Sequence, residues 1–309
     1  MPKRLIAILS ASVALLFVGV IYLIFNQKEK KEEKEPVTES MVFVEGMNYA
    51  MPVPIPDSVT FAGEDVPTDI FYVREQLDRE LTVNTYWHSS TILSIKRAHR
   101  WFPVIGPILA KNGIPGDFKY LALIESGLMN VVSPSGAAGF WQFLEKSGKE
   151  FGLKVSKEID ERYHVEKATE AACAYLNKSY IKFGNWTLVA ASYNAGQGRI
   201  DETIEKQQVS NYYHMFLNEE TSRYIFRILA MKTIYENPVA YGFKLEKGDL
   251  YDPLEVKKIK VTSTIHDLPA FARQQNTTYR MLKEMNPWLR SDKLTVRSGE
   301  DYEIALPAL

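Results

Sequence analysis

Hydrophobic residues follow three patterns along the chain, and each predicts a different kind of structure. Leu5 to Phe25 carries no charge, and a helix over that run rises about 31 Å, enough to cross a hydrocarbon core. Lys3 and Arg4 precede it, which predicts that Met1 stays cytoplasmic while the rest is exported. Phe25-Asn26-Gln27 offers neither a small-residue cleavage site nor a cysteine for lipidation, so residues 1–27 are expected to be an uncleaved transmembrane signal-anchor. Lys28 to Glu35 mixes lysine with glutamate, and Pro52, Pro54 and Pro56 stiffen an extended approach, so residues 28–68 read as a linker.

From 69 to 243 apolar residues recur at helical spacing. Asp69 is expected to cap a helix bearing Ile70, Val73, Leu77 and Leu81. A second helix spans Thr91 to Asn112 and stops at Gly113-Ile114-Pro115. Asp117 is expected to cap a short one, Phe118 to Ser126, broken by Gly127, and a Ser- and Gly-rich loop follows from Ser133 to Gly139. Glu166 to Phe183 sets Ala168, Ala171, Ala172, Tyr175 and Leu176 on one stripe. Trp186 to Tyr193 and Glu219 to Tyr235 complete the set, the latter stopped by Asn237-Pro238.

The third pattern covers 255–309. Val256 to Val261 alternates as a strand with one wet face, Asp267 and Tyr279 open two short helices, and Tyr302 to Pro307 is a closing strand. The predicted fold is mainly α: an all-helical central domain, a small α+β strand-helix-helix-strand module and an N-terminal membrane helix.

Composition narrows the function classes. Hydrophobic residues at 46% and charged residues at 24% are ordinary for a globular protein and exclude a disordered, collagenous or disulfide-built one. Lys and Arg number 37 against 38 Asp and Glu, so no basic excess exists to bind nucleic acid. The single Cys173 sits among alanines as a packing residue. His88, His99, His164, His214 and His266 form no metal-binding pattern, and no metal or other cofactor is expected.

The chemistry is expected where helices break. Glu125 ends the apolar run Tyr120-Leu121-Ala122-Leu123-Ile124, where partial desolvation raises a carboxyl toward use as a general acid. By itself this fits an exposed glutamate at a fraying helix end better than a catalytic one. However, Ala122-Leu123-Ile124-Glu125-Ser126, Gly139-Phe140-Trp141-Gln142 with Ser133-Pro134 before it, Ser192-Tyr193-Asn194-Ala195-Gly196, and Glu220-Thr221-Ser222-Arg223-Tyr224 occur in this order. Together they resemble the motifs of the soluble lytic transglycosylases, goose-type-lysozyme-like enzymes that cut peptidoglycan. Phe140 stands where that family has an aliphatic residue, and Ser192 where it has alanine.

The resemblance implies a lysozyme-like helical domain at 69–243 that cleaves the β-1,4 bond between N-acetylmuramic acid and N-acetylglucosamine without water, leaving 1,6-anhydro ends. Glu125 would act as acid and then base. Ser133 and Gln142 would hydrogen-bond substituents beside the cleaved bond, Tyr193 and Asn194 would line the opposite floor, and Glu220 and Tyr224 would complete the cleft. Phe140, Trp141 and Tyr224 fit core packing as well. Residues 255–309 resemble a LysM glycan-binding module, with Ile265-His266-Asp267-Leu268 in place of the usual opening. The implied partners are peptidoglycan strands and other cell-wall enzymes, and the implied location is the bacterial envelope, anchored in the inner membrane and facing the periplasm. A lysozyme-like hydrolase and a catalytically weak peptidoglycan-binding scaffold are the alternatives.

Overall fold

The computed structural model describes residues 51–308. The expected membrane anchor and the charged half of the linker lie outside the described residues. Among the described residues, no helix is long and apolar enough to cross a membrane. Eight helices build the body: α1 (Phe71–Tyr86), α2 (His88–Lys111), α3 (Phe118–Ser126), α4 (Glu145–Glu150), α5 (Val165–Phe183), α6 (Trp186–Ala195), α7 (Gln197–Gln207) and α8 (Glu219–Glu236). α1 lies along α8 and α2 along α5, while α6 packs against α5, α7 and α8. Their buried faces form one core that includes Leu77, Leu81, Ile105, Trp141, Leu176 and Ile228.

Residues 52–68, read above as the end of a linker, belong to this body. Val53 and Ile55 pack on the core, and Thr60–Phe61 (β1) pairs antiparallel with Glu64–Asp65 (β2). The prolines suggested an extended tether, but the apolar side chains between them find partners. Phe61 is fully buried, 5.3 Å from Phe118 and in the same aromatic row as Trp186. Burial of such a side chain is worth about 1.5–3 kcal/mol. The hairpin also serves α6. Glu64 accepts hydrogen bonds from the Trp186 and Thr187 amides at 2.6 and 2.9 Å, where the helix N-terminus favours a carboxylate.

Two expected caps fail. α1 begins after Ile70 rather than Asp69 and has no side-chain cap. Asp117 precedes α3 but is itself helical in backbone and makes no cap hydrogen bond. Its Oδ2 instead accepts from the Ala62 amide and Lys232 Nζ, at 2.8 and 2.7 Å, tying hairpin, α3 and α8 together. α7 is an additional helix that hydropathy did not predict: Ile200 is its one buried residue.

The C-terminal module has the expected order. Val256–Val261 (β3) pairs antiparallel with Tyr302–Pro307 (β4), and between them lie α9 (Leu268–Gln274) and α10 (Tyr279–Met285). Asp267 and Thr278 cap the two helices by accepting from Ala270 and Met281 amides. Asn286 is buried and joins α10 to β4: its Nδ2 donates to Leu282 O and Ala305 O, and its Oδ1 accepts from Ala305 N. A second buried cluster, with Leu268, Leu282, Leu289, Leu294 and Ile304 at its centre, takes in Ala138, Ile159 and Tyr163 of the helical body.

Candidate active site

The predicted site residues sit at three helix ends and one loop. α3 delivers Glu125 one residue before its terminus. Gly127 then turns the chain left-handed at φ +61, a conformation glycine adopts without steric cost. Ser126 Oγ donates to Phe140 O at 2.9 Å, fastening this helix end to the loop that follows. α8 runs past it, with Glu220, Tyr224 and Arg227 spaced by four and three residues on one face. The Tyr224 hydroxyl donates to Glu125 Oε1. Tyr224 is 1% exposed, so it both packs in the core and points its oxygen at the carboxyl. The two roles left open by the sequence are compatible.

Glu125 is only partly exposed, and burial holds its carboxyl above the usual glutamate range. The Tyr224 hydrogen bond and the Arg227 charge oppose that rise, and the Glu220 charge adds to it. Tyr193 faces the same carboxyl from α6; burial, and then the Glu125 charge, push its phenol well above its normal value. Its hydroxyl donates to Trp141 O at 2.7 Å, so Tyr193 orients the loop rather than the Glu125 carboxyl. Asn194 does not line an open floor by itself. Its Nδ2 donates to Glu220 Oε1 and its Oδ1 accepts from Thr221 Oγ1, both at 2.9 Å, which joins the end of α6 to the start of α8.

Ser133 and Gln142 lie on the loop between α3 and α4. Ser133 Oγ accepts from the Ala137 amide at 3.0 Å and pairs with Ser135 Oγ. Gln142 sits at φ +49, and its Nε2 donates to Gly139 O and Val131 O at 2.7 and 3.2 Å. Its Oε1 meets no donor among the described residues and is left to accept one. Phe140 and Trp141 are core residues: both are buried, and Trp141 Nε1 donates to Thr169 Oγ1. The structure therefore brings Glu125, Tyr193 and Tyr224 together and pairs Asn194 with Glu220. Ser133 and Gln142 share the adjoining loop without touching Glu125.

Two neighbours were not anticipated. Arg227 donates to Ile124 O at 2.9 Å and places its charge beside Glu125. The heptad step from Glu220 was a signal for it. Arg162 holds the loop backbone and had no sequence signal, because its contacts lie 19 and 26 residues away. Asp160 pairs with Arg162, and Glu161 with Lys167. Recesses of about 420 Å³ around Tyr213 and about 640 Å³ around Lys154 lie elsewhere, so convergence of side chains locates the site. No group of three potential metal ligands occurs among the described residues. Chemically, the arrangement offers a partly buried carboxyl whose pKa burial raises, with one oxygen bonded by a tyrosine.

Residues 107–216 match the transglycosylase SLT domain, and residues 257–309 match the soluble lytic transglycosylase C-terminal LysM-like domain. The chain thus carries an SLT transglycosylase domain joined to a LysM-like domain of the soluble lytic transglycosylases. It is homologous to membrane-bound lytic murein transglycosylase D of Escherichia coli K12, with 28% identity over 236 residues that cover 74% of this chain and 50% of the relative. The corresponding protein of E. coli O6:H1 gives the same figures. The chain therefore spans about half the length of the curated relatives it matches. An inactive mutant of the lytic transglycosylase Slt from Pseudomonas aeruginosa aligns with a TM-score of 0.36 at 18% identity, covering 60% of this chain and 36% of that one. Glu125, Ser133, Gln142, Tyr193 and Asn194 fall inside the matched SLT segment, while Glu220 and Tyr224 lie just beyond it.

Proposed function

We propose that this protein is a peptidoglycan lytic transglycosylase in which Glu125 serves as acid and then base. The observation that carries the reading is the Glu125–Tyr224 pair: a carboxyl whose pKa is raised by burial, with one oxygen bonded by a buried tyrosine. Protonated Glu125 gives its proton to the oxygen joining N-acetylmuramic acid to N-acetylglucosamine, and the C1–O bond breaks. The substrate's own 2-acetamido oxygen stabilises C1 meanwhile, as in substrate-assisted enzymes. The carboxylate then takes the proton of the muramic 6-hydroxyl as that oxygen bonds to C1, which closes the 1,6-anhydro ring and restores the acid. No water enters, so bond and proton counts balance within the substrate and one side chain.

A carboxyl suited to both steps needs its two protonation states close in energy at working pH. Burial and Glu220 press Glu125 toward the acid, and Tyr224 and Arg227 press it toward the carboxylate. In this reading Gln142 Oε1 and the loop bearing Ser133 hold sugar substituents beside it. The homologue's membrane-bound character, the charge-free run Leu5 to Phe25 and the cations before it support an envelope location with an inner-membrane anchor. Removal of the acid tests the reading. Glu125→Gln keeps the shape and loses the transferable proton, so release of soluble muropeptides from purified peptidoglycan falls by about 10²–10⁴-fold. Undiminished release by the variant overturns the assignment.

A further inference from the structure

The loop from 131 to 143, which carries Ser133 and Gln142 and whose Trp141 carbonyl receives Tyr193, is held mainly from below. Arg162 Nη1 donates to Gly136 O at 2.9 Å and to Phe143 O at 3.2 Å, clamping both ends of its central turn. Between those points Gly139, at φ +77, lies so close to Arg162 that a Cβ there would stand 1.9 Å from Arg162 O. The guanidinium is fixed in turn. Asp160 Oδ1 accepts from Nε at 2.9 Å and Oδ2 from Nη2 at 2.7 Å, a forked pair in which both side chains are about nine-tenths buried.

The Asp160 segment is gripped from its other side by the C-terminal module. Asp160 N donates to Trp288 O at 2.9 Å and Arg290 N to Glu158 O at 2.8 Å, flanking a bridge between Ile159 and Leu289. Glu158 also accepts from the Thr295 amide at 3.0 Å and meets Lys293 at 3.2 Å. The Arg290 guanidinium stands 4.5 Å over the Tyr163 ring, and His164 stacks on Trp288. Ala138 of the loop joins the module's own buried cluster. An unbroken series of backbone bonds, one forked ion pair and apolar packing therefore runs from the module to the loop.

We propose that the LysM-like module is a structural part of the active site: it clamps residues 158–163 and, through Arg162 as a positioning residue, sets the loop that carries Ser133 and Gln142. The catalytic consequence rests on the transglycosylase reading, whereas the positional claim does not. Misplacement of a substrate-holding group by about 1 Å costs up to about 10²-fold in rate.

Amide hydrogen exchange of the full chain, read over 131–143 alongside turnover of purified glycan strands, tests it. Glu158→Lys sets like charges against Lys293 at the module contact and leaves the core untouched. Arg162→Gln removes the clamp, and Arg162→Lys keeps the charge but not the fork. Exchange over 131–143 is expected to rise at least about tenfold in Glu158→Lys and Arg162→Gln, with α1 and α8 unchanged, as for a local opening. kcat is expected to fall at least about tenfold while KM moves less, with Arg162→Lys intermediate. Lys260→Ala, on the outer strand away from the contact, is expected to match the unaltered protein in both readings. Loop exchange at the unaltered rate in Glu158→Lys and Arg162→Gln overturns the proposal, as does faster exchange spread equally over the helical body. If the unaltered protein turns over no glycan, the functional reading fails and the exchange comparison still decides the positional one.

Discussion

Tyr224→Phe isolates one hydrogen bond at the heart of the site. The ring is 1% exposed and packs in the core, and phenylalanine fills the same volume, so the perturbation is confined to the hydroxyl. That hydroxyl donates to Glu125 Oε1 and favours the charged form of the carboxyl. A hydrogen bond to an ionised group is worth about 1.5–3 kcal/mol. At about 1.4 kcal/mol per tenfold, its loss cuts the carboxylate-to-acid ratio at fixed pH by about 10- to 150-fold. The sign follows from what remains. Burial and Glu220 continue to raise the pKa of Glu125, and only the Arg227 charge still opposes them. The variant is therefore expected to keep its acid to higher pH. The alkaline limb of kcat/KM on soluble glycan strands moves up, and the rate below it falls because an acid of higher pKa is a poorer proton donor to the leaving oxygen. A pH–rate profile of both proteins measures this, together with carboxyl titration of each. A downward shift of that limb, or an unmoved profile at unchanged rate, would refute the reasoning.

Other predictions follow from the same contacts. Because burial raises the pKa of Glu125 in the folded state, its favourable contribution to stability is complete below the unfolded value of about 4.3 and is lost as pH rises through the higher folded value. Glu125→Gln removes that loss, so calorimetry should find similar melting temperatures at acidic pH and a variant that melts higher at pH 8; a lower-melting variant at pH 8 contradicts the burial argument. Glu64→Ala strips the N-terminus of α6 of a carboxylate that accepts from two amides, and denaturant unfolding should show a loss of about 0.5–2 kcal/mol. Gly139→Ala forces a Cβ against Arg162 O at positive φ and should cost about 2–4 kcal/mol, with the SLT loop loosened; a variant as stable as its parent would contradict the close approach.

The helical body was legible because its signals are local. The periodicity of Val73, Leu77 and Leu81, the stop at Gly113 and the turn at Gly127 gave helix positions to within a few residues. Failures occurred where a side chain answers to distant partners. Asp117 looks like a cap and is spent on Ala62 and Lys232, and the proline-rich stretch before Phe61 looks like a tether and is held by the core. α7 escaped because a helix with one buried residue has little hydropathic signature. The order of the four motifs pointed to Glu125 and its neighbours, yet it said nothing of who holds them. Tyr224 reaches Glu125 across 99 residues, Glu64 accepts from the start of α6 across more than 120, and Arg162 bonds the loop from a segment that the C-terminal module bonds in turn. Spacing along a chain carries no record of such pairings.

In the proposed reaction the muramic 6-hydroxyl, and not water, accepts the glycosyl group released under Glu125. Digestion of purified peptidoglycan in water enriched in heavy oxygen, with mass analysis of the products, tests it most directly. The expected products are muramic ends lighter by one water than reducing ends, free of the heavy isotope, and absent with Glu125→Gln. Reducing ends that carry the heavy oxygen would contradict it and make the protein a hydrolase.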